Sequence, residues 1–97
     1  MSARHEFAVV DANGSINQSY SCSERISCSG GGGSGHYLIT FGRQYLNPPV
    51  VVATLFANAG WIYTIEVNHV DERRCDIKII DGNKPGSCNF MIHAIGD

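Results

Sequence analysis

Apolar and polar positions alternate with period two along most of this chain, and no stretch sustains a helical period. His5 to Val10 is a short, mostly apolar run that stops at Asp11-Ala12-Asn13-Gly14. Asn-Gly is a tight-turn signal, because both central residues of a type I′ turn take positive φ. Ile16 to Cys22 then reads as the returning strand, and Glu24 to Cys28 as a further short piece. Ser29-Gly30-Gly31-Gly32-Gly33-Ser34-Gly35 has the composition of a flexible linker. Only about 30 residues precede it, too few to fold alone without staples, so it reads as a loop between strands.

His36 to Phe41 sets Tyr37, Ile39 and Phe41 on one face and His36, Leu38 and Thr40 on the other. Asn47-Pro48-Pro49 fixes an extended approach to Val50–Phe56, which is apolar on both faces. Such a strand is covered on both sides, inside a sandwich or by a neighbouring subunit. After a turn at Ala57–Gly60, Trp61, Tyr63, Ile65 and Val67 share a face opposite Ile62, Thr64, Glu66 and Asn68. A charged loop at His69–Arg74 leads to Cys75–Ile80, with Ile77 and Ile79 inward. Asp81–Gly86 reads as a long turn, and Asn89–Ile95 as a last strand with apolar residues on both faces. The sum is an all-β fold: one domain over residues 1–97, a small antiparallel β-sandwich of six to eight strands. Such a sandwich has one inner layer to fill, so the surplus apolar faces imply a subunit interface.

Composition agrees. Ten Ile and seven Val against three Leu favour strands. Charged residues are 16% of the chain and the net charge is −2, which argues against electrostatic binding to nucleic acid or an anionic membrane surface. No apolar run approaches the roughly 20 residues of a membrane helix. Met1–Glu6 lacks the apolar region of a signal peptide, so either none is made or the sequence begins after it.

Cys22, Cys28, Cys75 and Cys88 allow three disulfide pairings, and free thiols are equally compatible. Cys22 and Cys28 are close enough to bridge a tight turn. A hairpin closing over residues 82–86 would set Cys88 opposite Ile80 and Cys75 opposite His93, which keeps those sulfurs apart. Without a C-x2-C pair, a zinc site is not expected.

The stretch Tyr37-Leu38-Ile39-Thr40-Phe41, then Tyr45-Leu46-Asn47-Pro48-Pro49-Val50-Val51-Val52-Ala53-Thr54-Leu55, two alternating strands, and Phe90-Met91-Ile92-His93-Ala94-Ile95-Gly96 form a recurring theme. Over roughly two-thirds of the chain this resembles the H-type lectin domain and the related receptor-binding tips of phage tail fibres. The resemblance implies a six-stranded antiparallel sandwich assembled as a homotrimer, sometimes paired into a hexamer. It implies glycan partners of the galactose or N-acetylgalactosamine type, bound at sites shared between subunits, and an extracellular or virion-associated place. The chain departs from the family in its single tryptophan, Trp61, which lies mid-chain rather than near the last strands.

The candidate binding residues are therefore read from the chain itself. Trp61 and Tyr63 follow a turn and could stack on sugar C–H faces; Tyr63 equally suits the core, on the face it shares with Ile65 and Val67. His69, Asp71, Glu72, Arg73 and Arg74 are the densest polar group, and carboxylate with guanidinium can hold several sugar hydroxyls; a merely solvated loop is the plainer reading. Arg43, Gln44 and Tyr45 form a second polar-aromatic group beside the prolines. Asp11-Ala12-Asn13-Gly14 fails as a calcium loop, because the twelfth position is Cys22 rather than Glu. No nucleophile elbow or phosphate-cradling glycine motif is present, so a cofactor-free binding module is expected rather than an enzyme. The alternative is a structural trimerisation or receptor-binding tip of a phage fibre or similar particle.

Overall fold

The computed structural model describes residues 3–21, 25–56 and 62–97. Among them the strands are β1 (Arg4–Val10), β2 (Ser27–Gly30), β3 (His36–Thr40), β4 (Val50–Leu55), β5 (Tyr63–Asn68), β6 (Arg74–Asp81), β7 (Lys84–Pro85) and β8 (Phe90–Gly96). They form two sheets: β1-β8-β4, and β2-β3-β6-β5 with β7 paired to β6. Every pairing is antiparallel. The all-β reading stands, with strand ends within three residues of the expected runs wherever those runs became strands, and β7 falls within the expected turn at Asp81–Gly86.

The alternation does its expected work inside. Ala8 and Val10 of β1, Phe90, Ile92 and Ala94 of β8, Tyr37 and Ile39 of β3, and Cys75, Ile77 and Ile79 of β6 are all buried between the sheets. Tyr37 and Phe90 meet edge to face across the layer, centroids 5.0 Å apart. The Tyr37 hydroxyl donates to the Ala12 carbonyl at 2.6 Å, which ties β3 to the turn after β1.

Three expectations change. The first concerns Asp11–Ser15. Gly14 N–H donates to the Asp11 carbonyl and Asp11 N–H to the Ser15 carbonyl, each at 2.8 Å, and only Gly14 takes positive φ, at 92°. That is a three-residue hairpin loop with a glycine bulge rather than a type I′ turn. Second, no returning strand follows. Ile16 makes a single bridge to Val10, and a short 3-10 turn occupies Gln18–Tyr20. Here polar side chains outcompete the ladder. Asn17 accepts from Ser19 N–H at 3.0 Å, and the Ser21 hydroxyl both donates to the Asn17 carbonyl and accepts from Val9 N–H. Cys22 lies outside the described residues.

Third, β6 and the last strand do not form a hairpin. The chain turns at Gly82-Asn83 so that Asp81 faces Lys84 and Ile80 faces Pro85. It then crosses to the other sheet, where β8 lies between β1 and β4. Apolar residues on both faces suit β8 to a central position. Cys75 and Cys88 are free buried thiols and Cys28 a free half-buried one, so Cys28 takes part in no bridge.

Candidate functional site

The loop at 69–73 joins β5 to β6 and is folded by its own polar groups. His69 takes φ 51°, turning the chain sharply out of β5. The Asp71 carboxylate accepts from Arg73 N–H at 2.7 Å and from Arg74 N–H at 2.9 Å, and Asp71 N–H donates to the Arg74 carbonyl at 3.0 Å. These N–H donors, Arg73 first and then Arg74, hold the Asp71 carboxyl below its ordinary value of 3.8, and the two guanidinium charges add to them. The result is an exposed carboxylate of fixed orientation, with His69 and Arg73 exposed beside it in the chain.

A second loop lies against the first. Phe41 N–H donates to the Arg73 carbonyl and Tyr45 N–H to the Glu72 carbonyl, both at 2.9 Å. The two groups that are far apart in sequence, Arg43–Tyr45 and His69–Arg73, thus sit at the same end of the sandwich. Arg43 is exposed and Tyr45 is 1% exposed. The Tyr45 ring lies 3.7 Å beneath the Arg4 guanidinium and packs edge to face on Phe41. Burial first, then the nearby Glu6 charge, push the Tyr45 hydroxyl up to about 12, against an opposing pull from Arg4. Arg4 also donates to the Arg43 carbonyl at 2.6 Å and pairs with Glu6 at 3.4 Å, while the fully buried Glu6 accepts from Gly42 N–H at 2.8 Å. Tyr45 therefore supports the loop from below, and Arg4 and Glu6, which sequence reasoning passed over, pin it to β1. Their alternation within an apolar strand was the available signal.

Tyr63 lies at the other end of β5, half-buried and packed on the core with Ile65 and Val67. Trp61 falls outside the described residues. The structure thus sets the segments carrying Arg43, His69, Asp71 and Arg73 at one end of the sandwich and leaves Tyr63 apart. Among the described residues no three His, Cys, Asp or Glu side chains converge as a metal-holding cluster.

A different surface covers the outside of β1-β8-β4. Register sets its outward residues in three rows: His5-Ile95-Val50, Phe7-His93-Val52 and Val9-Met91-Thr54. None is charged. Phe7, Val50 and Val52 are 47%, 67% and 56% exposed. An open groove of about 720 Å³ lies here, lined by Phe7, Val52, Thr54, Phe56, Met91 and His93 among others. Two imidazoles lie within this surface, His93 at its centre on β8 and His5 on the β1 edge. His5 Nδ1 and His93 Nε2 are 3.0 Å apart, with the rings stacked at 5.2 Å. The outside of the other sheet is the opposite in character. Its rows include Leu38-Asp76-Asn68 and His36-Lys78-Glu66.

Comparison with protein-family models, with curated proteins and with solved structures returns no match for this chain.

Proposed function

We propose that this chain is a carbohydrate-binding module, lectin-like in the H-type manner, that recognises glycans through shallow sites repeated in a homo-oligomer. The observation that carries the reading is the joined pair of loops that sets Arg43, His69, Asp71 and Arg73 at one end of the sandwich. Sugar hydroxyls are weak donors and acceptors that need fixed partners. A carboxylate held ionised by two backbone N–H groups accepts from two vicinal hydroxyls, and the flanking guanidinium and imidazole groups donate to ring and hydroxyl oxygens. The rigid sheets beneath limit the ordering cost of such a site. A shallow site binds weakly, and repetition in an oligomer multiplies apparent affinity by roughly 10² or more on a polyvalent target. Galactose and N-acetylgalactosamine are the sugars to try first, as the family resemblance implies.

The test is a titration of the isotope-labelled protein with each sugar, followed by amide NMR. Shifts confined to residues 42–45 and 69–74 are expected. Shifts confined to the outside of β1-β8-β4, or none at saturating sugar, would overturn the reading.

The second reading is a trimerisation or receptor-binding tip of a fibre-like particle. The charge-free outer face of β1-β8-β4 favours it, since such a face suits assembly more than sugar recognition.

A further inference from the structure

We infer that Asn13 is a site of spontaneous deamidation, and that the hairpin loop after β1 latches it by holding the Gly14 N–H on the Asp11 carbonyl. The inference goes beyond the proposed function and is independent of it. The loop follows Val10, at the end of β1 away from Arg4 and the Arg43 segment that Arg4 holds.

Asparagine is a thermolabile residue. It is most labile before glycine, because no Cβ screens the glycine nitrogen. Asn13-Gly14 is the one such pair in the chain. The reaction balances with water alone. Hydroxide takes the Gly14 amide proton, and the amide nitrogen attacks Asn13 Cγ. A bond forms between Cγ and the Gly14 nitrogen, the Cγ–Nδ2 bond breaks, and ammonia leaves with a proton from water. Water then opens the cyclic imide at either carbonyl, giving an aspartyl or an isoaspartyl residue.

The loop treats the two reacting groups differently. Asn13 is exposed, and Ser15 N–H donates to its Oδ1 at 3.0 Å. That bond carries the side-chain carbonyl across Gly14 and polarises Cγ, so the electrophile is ready. The nucleophile is withheld. Gly14 N–H donates to the Asp11 carbonyl, and Asp11 N–H closes the loop on the Ser15 carbonyl, each at 2.8 Å. An amide proton in such a bond is not given up to hydroxide until the bond opens. Imide formation and amide hydrogen exchange share that first step, so one opening equilibrium governs both.

Neighbouring segments hold the latch closed. The Ala12 carbonyl accepts from the Tyr37 hydroxyl at 2.6 Å, the Ser87 hydroxyl at 3.1 Å and Gly32 N–H at 3.1 Å. Ala12 N–H in turn donates to Asn89 Oδ1 at 2.8 Å. The residue before Asn13 is thus tied to β3, to the glycine loop and to the segment that leads into β8. Opening the loop disturbs these bonds. An isoaspartyl residue adds a main-chain carbon to the turn, so a molecule that reacts while open cannot close on the same bonds. The loop therefore keeps an irreversible record of its own opening.

The experiment incubates the full chain at pH 8 in buffer and in concentrated urea, and follows each asparagine by peptide mapping with mass spectrometry. In urea, Asn13 is expected to react ahead of every other asparagine. In buffer its rate is expected to be at least about tenfold lower, matched by the exchange protection of the Gly14 amide read by NMR. Tyr37→Phe keeps the ring and removes one bond to the Ala12 carbonyl. It is expected to lower both the protection and the slowing together, with the wild-type circular dichroism spectrum. Ser87→Ala, which removes a different bond to the same carbonyl, is expected to act in the same direction and serves if Tyr37→Phe does not fold. Asn13→Gln is expected to abolish the early product. Equal rates in buffer and in urea would overturn the latch. Reaction in urea at other asparagines ahead of Asn13 would overturn the site. A Gly14 amide that exchanges freely while Asn13 stays intact in buffer would overturn the role of the Gly14–Asp11 bond.

Discussion

Single residues carry two kinds of work here. Glu6 is fully buried in an otherwise apolar strand, 3.4 Å from Arg4, with Gly42 N–H on its other oxygen. Replacing it with Gln keeps the shape and removes the charge, leaving the largely buried Arg4 cation without its counter-ion. Glu6→Gln is expected to lower the unfolding free energy by about 2 kcal/mol, read from urea denaturation. The thiols behave oppositely, as inert filling. Burial pushes Cys75 up to about 12 and Cys28 up to about 11. Neither is expected to react with an aromatic disulfide reagent at pH 8 until denaturant is added, as mass spectrometry of the labelled chain would show. Asp71 is the reverse case, an exposed acid held below 3.8 by backbone donors. A depressed folded value means its contribution to the loop is present above pH 3.8 and is lost as pH falls further. A carbon-detected NMR titration of its carboxyl should place the midpoint below that value.

At the scale of elements, the strands with strict alternation were legible, because a two-residue period with one apolar face admits a single orientation. His36–Phe41, Tyr63–Val67 and Cys75–Ile80 all lay their odd-numbered residues inward, as their patterns require. What sequence could not give was pairing. The segment after Ile16 has strand-like residues, but Asn17 and Ser21 satisfy the backbone locally, and no alternation count registers that competition. Likewise the short loop after β6 suggested a hairpin with the final strand, while the core preferred to place β8 between β1 and β4. The turn at 11–15 shows how tightly such choices are enforced. A Cβ on Gly14 would run into the Gly30 carbonyl oxygen, and its φ is 92°. Gly14→Ala is expected to cost about 1–3 kcal/mol, with the melting temperature as the readout.

For the whole molecule, the sandwich divides its surface by chemistry: a charged sheet face, an apolar sheet face, and one end crowned by polar loops. The surplus of apolar positions in Val50–Phe56 and Asn89–Ile95 was visible in the sequence, and the outward faces of β4 and β8 account for it. The His5–His93 pair was not visible, because it joins residues 88 apart through a register that only the folded sheet defines. The polar loops were recognisable as two groups, and their joining at one end came from backbone bonds between Phe41, Tyr45 and the 72–73 segment. A glycan array probed with the natively assembled protein and with its Asp71→Asn variant tests the proposed function most directly. Selective binding to galactose-type glycans is expected, displaced by free sugar and weakened at least about tenfold by the variant, a loss of about 1.4 kcal/mol. A blank array from a protein shown to be oligomeric, or selective binding that Asp71→Asn leaves unchanged, would contradict the assignment of the site.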